Sequence, residues 1–337
     1  MKPVKIVTHS EDIDGLAAQA MLRRLYRDQG VPVAAGSLVT STELRAELLT
    51  RTRDEVGRVV VADLALGESV LSDSELIAFA GAHELVVHDH HDVGAHRADL
   101  LARVCHEGGL VPGTCSARLV QAAHFPDDPG FALLADACQA TDFSVMGSAF
   151  WLGSKLNALI AHSDAAGLDR LADDLADGRV LTEGELSPEY RAAWDVASAR
   201  DTAALAEMRA HSRLVDCGGI GVAVGSVPRY VSTKLALGAL AFTGPGRPDI
   251  GCLAWLGTPH VHVVAYLRDL PADLAGFCRA HGGGGRDNAG GFPYRTVITA
   301  DNVAEAIEWT THELGDWLDA ARRGASVGAP ANSGGDQ

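Results

Sequence analysis

Short apolar runs alternate with amphipathic stretches through the first part of the chain, and the alternation predicts strands separated by helices. Val4 to Thr8 is too short for a helix and reads as a first strand. Leu16, Ala20, Leu22 and Leu25 fall along one side of the segment 16–26, the pattern of a helix packed on that strand. A second strand is expected within 31–39. Ser41-Thr42-Glu43 then opens a helix running through Leu49, since a hydroxyl cap ahead of an acidic residue satisfies the free amides of the first turn. Arg58 to Ala62 gives a third strand, Asp73 to Ala82 a helix, and Leu85 to Val87 a fourth strand. Strands joined through helices imply a parallel sheet with right-handed crossovers.

Beyond this sheet, helices are expected over 115–123 and 131–140, followed by a mostly helical section from Ser148 to about His211. Gly218-Gly219 and the valine-rich runs after it mark a second, α+β unit. Its strands are expected near 221–224, 252–256 and 260–266, with a last long helix over 301–322. The resulting fold class is α/β: a parallel-sheet domain (1–145), a helical connector (146–212), a smaller α+β domain (213–323) and a disordered Gly/Ala/Pro/Ser tail (324–337).

Composition narrows the setting. A chain of 337 residues with 47% hydrophobic content is long enough for two cores. It has no uncharged apolar run of about 18 residues and no leader-like N-terminus, so no membrane span is expected and a cytoplasmic location is. Cys105, Cys115, Cys138, Cys217, Cys252 and Cys278 are scattered without a Cys-x-x-Cys pair, which fits buried thiols in a reducing compartment. A formal net charge of −16 at pH 7 argues against binding along a long duplex, because that affinity comes from many Lys and Arg contacts to phosphate.

The chemistry lies at strand ends. The first strand delivers His9, Asp12 and Asp14, the third delivers Asp63, and the fourth delivers Asp89, His90 and His91. Neighbouring parallel strands bring such ends to one crevice. Asp14 or Asp63 taken singly reads equally well as a helix cap. A cap accounts for neither His9 nor the histidine pair. Carboxylates outnumber imidazoles and no thiolate is present, a donor set suited to Mn²⁺ or Mg²⁺. In the second half, Gly282 to Gly285 permits positive φ and an anion nest beside Arg286, or else a flexible loop.

These residues, in order, carry a resemblance. His9-Ser-Glu-Asp12-Ile-Asp14-Gly15, Asp63 after Val-Val-Val-Ala, Asp89-His90-His91, and Asp136 in Leu134-Ala135-Asp136 resemble the ordered motifs of the DHH phosphoesterase superfamily. Gly283-Gly284-Gly285-Arg286-Asp287-Asn288-Ala289-Gly290-Gly291-Phe292 resembles the signature of the DHH-associated C-terminal domain, found in RecJ-like exonucleases and in oligoribonucleases that also act on adenosine bisphosphate. The step from His9 to Asp12 is one residue shorter than in many members. Arg286 stands where the family has His, which keeps anion binding and adds a permanently charged fork of donors.

The resemblance implies two ions, one held by His9, Asp12 and Asp63, the other by Asp14, Asp63, His90 and Asp136, with Asp63 bridging. Asp142, six residues beyond Asp136, is the alternative for the fourth motif. Asp89 is expected to orient an imidazole and His91 to touch the phosphate or assist the leaving oxygen. Gly283, Gly284, Gly285, Arg286 and Asn288 are expected to bind substrate. The function implied is hydrolysis of phosphodiester or phosphomonoester bonds in short single-stranded nucleic acid or small nucleotides, by water activated between two metals. Homodimerisation stays open. A pyrophosphatase or polyphosphatase, and a nucleotide-binding module without turnover, are the alternative readings.

Overall fold

Valine runs build the first sheet. In the computed structural model, which describes residues 2–34, 36–53, 55–241, 248–266, 273–286 and 288–323, these runs become β1 (Val4–His9), β3 (Arg58–Ala62) and β4 (Glu84–Asp89). The short β2 (Ser37–Val39) and β5 (Glu107–Leu110) complete a parallel sheet of order β2-β1-β3-β4-β5. The connections are α1 (Ile13–Asp28), α2 (Leu44–Leu49), α3 (Asp73–Ala82) and α4 (Ala95–Val104). Alternate residues of each strand point to opposite faces, and both faces are buried. Ile6, Val60 and Val86 pack beneath α1, α5 (Ser116–His124), α6 (Pro129–Asp142), α7 (Ser148–Ala161) and α8 (Ala165–Ala176). Val7, Val59, Val61, Leu85 and Val87 pack on the other side with Leu44, Leu48, Leu76, Leu100 and Leu101.

The chain divides into two compact units, one up to Ala197 and one from Ser198 on. Leu152, Leu156, Leu159, Leu171 and Leu175 share the core of Leu16 and Met21, so α7 and α8 are built into the first unit rather than standing as a separate connector. A small hairpin, β6 (Leu181–Thr182) and β7 (Glu185–Leu186), leads to the long α9 (Pro188–His211), in which the division falls.

The second unit holds a mixed sheet of order β12-β13-β11-β10-β9-β8. Its strands are β8 (Arg213–Asp216), β9 (Gly221–Pro228), β10 (Ile250–Leu256), β11 (His260–Ala265), β12 (Gly284–Arg286) and β13 (Ala289–Pro293). Helices α11 (Leu274–Ala280) and α12 (Val303–Arg322) cover one face through Phe277, Leu314 and Trp317, and α10 (Thr233–Leu240) lies on the other through Ala236 and Leu240.

Several local expectations change. Among the described residues of 31–39 only Ser37–Val39 is a strand, with Val33 bridging to Val4. Helix α2 starts later than expected and has no hydroxyl cap: the Glu43 carboxylate instead accepts from the amide and hydroxyl of Thr40, both at 2.9 Å. The glycine stretch is a hairpin, β12 paired in register with β13. A Cβ at Gly283 or Gly285 would lie 2.0 Å from the Gly291 carbonyl oxygen or 2.3 Å from that of Ala289, so close strand approach itself demands glycine there. The tail after Gly324 lies outside the described residues.

Candidate metal centre

The strand order reverses between β1 and β3: β2 lies to one side of β1 and β3 to the other. Their carboxyl ends therefore leave a crevice that crossing loops do not fill, the place where open α/β sheets hold ligands. His9 ends β1, Asp63 follows β3, and β4 next to it carries Asp89 into His90 and His91.

Helix α1 fixes the first motif. Oδ1 of Asp12, its N-cap, accepts from the amides of Asp14 (3.1 Å) and Gly15 (3.2 Å), and the amide of Ile13 donates to Oδ1 of Asn157 on α7 at 2.7 Å. These bonds satisfy the open first turn. Thus Asp12, rather than Asp14, is the capping residue, and its second oxygen faces His9 Nδ1 at 3.4 Å. Gly15 permits the tight approach: a Cβ there would lie 2.3 Å from the His9 carbonyl oxygen. Asp14 turns into the protein, where Oδ1 and Oδ2 accept from the amides of Ala117 (2.7 Å) and Ser116 (2.8 Å) at the start of α5.

Asp63 occupies the middle. Its backbone takes a left-handed φ of 57°, which an aspartate tolerates better than most residues. Oδ2 lies 3.7 Å from His9 Nδ1 and Oδ1 lies 3.9 Å from His90 Nδ1. His90 Nδ1 is also 3.8 Å from Asp14 Oδ2, while its Nε2 is 3.2 Å from Oδ2 of Asp142 at the end of α6. His91 stacks on His90 with ring centroids 4.5 Å apart, and its Nδ1 pairs with Oδ1 of the fully buried Asp89 at 2.7 Å.

Charge is strained in this cluster. Burial drives Asp63 well above the usual carboxylate range, and the charges of Asp12 and Asp14 push it further. Asp14 rises to about 6 through burial and the charge of Asp12, against the two amide hydrogen bonds. Burial opposes a charged His9, but its acidic neighbours Asp12, Asp63 and Glu11 outweigh that and push it up to about 12. Asp12 has the complementary shift: burial would raise it, yet His9 brings it down to about 2. His90 is also raised, by Asp142 against burial.

The donors fit divalent ions. Oδ2 of Asp63 and Oδ2 of Asp89 are buried without a hydrogen-bond partner. Within this cluster two groups have ligand atoms all within 4.8 Å of one another, His9 with Asp12 and Asp63, and Asp63 with Asp89, His90 and His91; Asp63 is common to both. Oxygen and imidazole donors without thiolate suit Mn²⁺ or Mg²⁺. Neighbouring ligands around an octahedral ion with bonds of about 2.1 Å lie about 3 Å apart. The contacts of 3.2 to 3.9 Å about His9 and His90 approach that spacing.

Asp136 is not in the cluster. Its side chain is 59% exposed and paired with Arg118, whereas Asp142 meets His90, so the expectation of Asp136 at the fourth motif is corrected to Asp142. Sequence reasoning gave no role to Ser116, Ala117 and Asn157, which hold the first motif, or to Glu11, 3.5 Å from His9 Nε2. Ser116 also places Oγ 3.4 Å from His90 Nδ1, and its position at a helix start was the available signal. In the second unit, Gly283, Gly284 and Gly285 lie in or beside β12, the backbone of Arg286 pairs with Ala289, and exposed Asn288 accepts from the Ala265 amide at 2.7 Å.

No protein-family model matches the chain, and no curated protein sequence does. Solved structures do. Exonuclease RecJ bound to manganese matches at a TM-score of 0.58 and 15% identity over 96% of this chain and 93% of that one. The pGpG-specific phosphodiesterase PggH from Vibrio cholerae matches at 0.54 and 14% identity over 94% of this chain and 99% of that one. An exopolyphosphatase-related protein from Bacteroides fragilis matches at 0.53 and 12% identity over 95% and 94%. With its five-stranded parallel sheet and the mixed sheet of its second unit, the chain shares the fold of these solved structures.

Proposed function

We propose that the protein is a metal-dependent phosphoesterase that hydrolyses short single-stranded oligonucleotides or small nucleotides. The observation that carries this reading is Asp63, buried at the switch point of the sheet and common to both groups of ligand atoms. His9, Asp12 and Asp63 would hold one ion, and Asp14, Asp63, His90 and Asp142 the other. Bound there, two divalent ions supply positive charge that lowers the pKa of a water and offsets charge on phosphoryl oxygens.

The chain's own groups do the rest. The amides of Ser116 and Ala117 fix Asp14, and Asn157 fixes the start of α1, so the ligands are set before substrate arrives. Asp89 would accept from Nδ1–H of His91 and leave the other nitrogen, on a ring 44% exposed, available to the substrate, so that the doubly protonated ring could donate to a phosphoryl or leaving oxygen. In the second unit, Arg286, whose side chain lies outside the described residues, would bind phosphate together with Gly283, Gly284, Gly285 and Asn288. The solved neighbours support a phosphate ester as substrate, since they include a phosphodiesterase and an exonuclease. The net charge of −16 and 5% aromatic content favour a ligand of a few nucleotides over a long duplex.

A substrate panel tests the reading. Purified protein with Mn²⁺ or Mg²⁺ is incubated with short RNA, short DNA, pGpG, adenosine bisphosphate and inorganic polyphosphate, and the products are resolved. Metal-dependent release of mononucleotide or phosphate from a nucleotide is expected. Turnover of polyphosphate alone would move the protein to the polyphosphatase reading, and no turnover of any of them would reject the enzyme reading.

A further inference from the structure

The turn that follows Asp142 exposes apolar side chains beside the metal centre. Phe143, Val145, Met146 and Trp151 are 37%, 59%, 64% and 54% exposed. These four, within nine consecutive positions, are more than a third of the eleven exposed large hydrophobics among the described residues. A loose loop does not account for them. The amide of Phe143 donates to Gln139 O at 3.1 Å, that of Val145 to Ala140 O at 2.8 Å, and that of Trp151 to Gly147 O at 3.1 Å. Ser144 between them takes a left-handed φ of 55°. Close packing of α6 on α7 supports the turn, because a Cβ on Gly153 would lie 2.7 Å from Ala137 O. The backbone is therefore fixed in a form that presents Phe143 outward.

The position of Phe143 decides what it presents the ring to. Its centroid is 6.2 Å from that of His90, tilted by 51°, and it follows directly on the aspartate that meets His90 Nε2. A phosphate at the carboxylate–histidine cluster would have its own nucleoside within reach of this ring. Carboxylates and imidazoles hold cations and, through them, phosphate, while the face of a base is recognised by a flat apolar surface close by. Phe143 provides one, and exposed Val145, Met146 and Trp151 follow it within nine positions.

We propose that Phe143, with Val145, Met146 and Trp151, forms an apolar lip on which a base of the nucleotide stacks while its phosphate occupies the metal centre. This rests on the phosphoesterase reading and specifies its substrate as carrying a base next to the scissile phosphate. Stacking on an aromatic ring tolerates any base, so the lip selects nucleotides over inorganic phosphates without choosing among sequences.

Binding is measured separately from turnover. The probe is an adenosine dinucleotide linked through a non-hydrolysable methylenephosphonate, titrated with Mn²⁺ present and followed by tryptophan fluorescence. Phe143→Ala is expected to weaken the Kd on the order of tenfold, the loss typical of one stacked base. Phe143→Tyr should restore binding, and Trp151→Phe should remove most of the fluorescence change. The same phosphonate lacking one base should bind wild-type and Phe143→Ala protein equally. Calorimetric titration with Mn²⁺ alone should not distinguish Phe143→Ala from wild type. Equal weakening for the dinucleotide and its abasic form, a loss of Mn²⁺ affinity, or no binding of the dinucleotide by wild type overturns the lip. So does sedimentation showing that Phe143→Ala converts a dimer to a monomer, since the patch is then a subunit contact. The substrate panel judges the phosphoesterase reading independently of all these outcomes.

Discussion

His90 places Nε2 3.2 Å from Oδ2 of Asp142, and this contact joins the end of α6 to the end of β4. Asp142→Asn keeps the shape but removes the charge. It is expected to lower kcat/KM more than about a hundredfold and to weaken Mn²⁺ binding, as loss of a ligand does. Asp136→Asn, which removes only an exposed pair with Arg118, should change either quantity less than about twofold. Steady-state kinetics and calorimetric metal titration of the two variants decide between the aspartates.

The apolar stripe of α6 held a signal that the expectation of Asp136 passed over. Phe131, Leu134, Ala135 and Cys138 recur at helical spacing, and Asp142 continues that stripe four residues after Cys138, whereas Asp136 falls off it. Other parts were legible for similar reasons. The Val-Val-Val of β3 has few alternatives to a buried strand, and Asp63 at its end stands at the site. Strand β5 was not legible, because Glu-Gly-Gly-Leu has neither β propensity nor alternation. Its glycine is required by the neighbouring strand instead: a Cβ on Gly108 would lie 2.0 Å from Val87 O. The same holds for the β12–β13 hairpin, where close backbone approach resembles a flexible loop in sequence. Pairing with distant chain selected these conformations, and short-range patterns do not encode it.

Asp63 gives a prediction for stability. Without metal it is a buried carboxylate raised by Asp12 and Asp14, so removing its charge relieves repulsion. Asp63→Asn is expected to leave the metal-free Tm unchanged or higher and to abolish activity. Wild-type protein should gain about 2.7 kcal/mol at Mn²⁺ a hundredfold above its Kd, several degrees in Tm, and the variant should gain almost nothing. Thermal scans with EDTA and with Mn²⁺ measure both. A full Mn²⁺ shift in Asp63→Asn would exclude it as a bridging ligand.

A buried ion pair away from the centre sets a pH dependence. Lys5 Nζ on β1 lies 2.6 Å from Glu47 Oε1 on α2, with both side chains almost fully buried. Burial alone would raise Glu47, but Lys5, Ser37 and Arg51 hold it below its ordinary value of 4.5. A depressed carboxylate contributes stability that is fully present above its unfolded pKa and is lost as pH falls through the folded one. Glu47→Gln, which strands Lys5, should cost about 3–5 kcal/mol near neutrality. The gap in Tm between wild type and variant should narrow as pH falls below 4.5, the ordinary value of Glu47. A gap independent of pH would show that the charge of Glu47 contributes nothing.

The last prediction concerns how Asp89 acts. Its carboxylate is fully buried, with Oδ1 held 2.7 Å from His91 Nδ1 and Oδ2 without a hydrogen-bond partner. It also lies within ligand distance of Asp63 and His90, so it can serve the site as an orienting group for His91 or as a ligand itself. The two roles differ in what they couple to. As an orienting group it accepts from Nδ1–H and so fixes the position and tautomer of the His91 ring, and Asp89→Asn should lower kcat by about ten- to a hundredfold with little change in KM. Its effect should also vanish once His91 is gone. The double variant Asp89→Asn, His91→Ala is then no slower than His91→Ala alone, because residues acting as a unit are not additive. Mn²⁺ affinity should be the same in wild type and Asp89→Asn. If the double variant loses the product of the two single effects, or if Mn²⁺ binding weakens in Asp89→Asn, the carboxylate acts on the metal rather than through the imidazole.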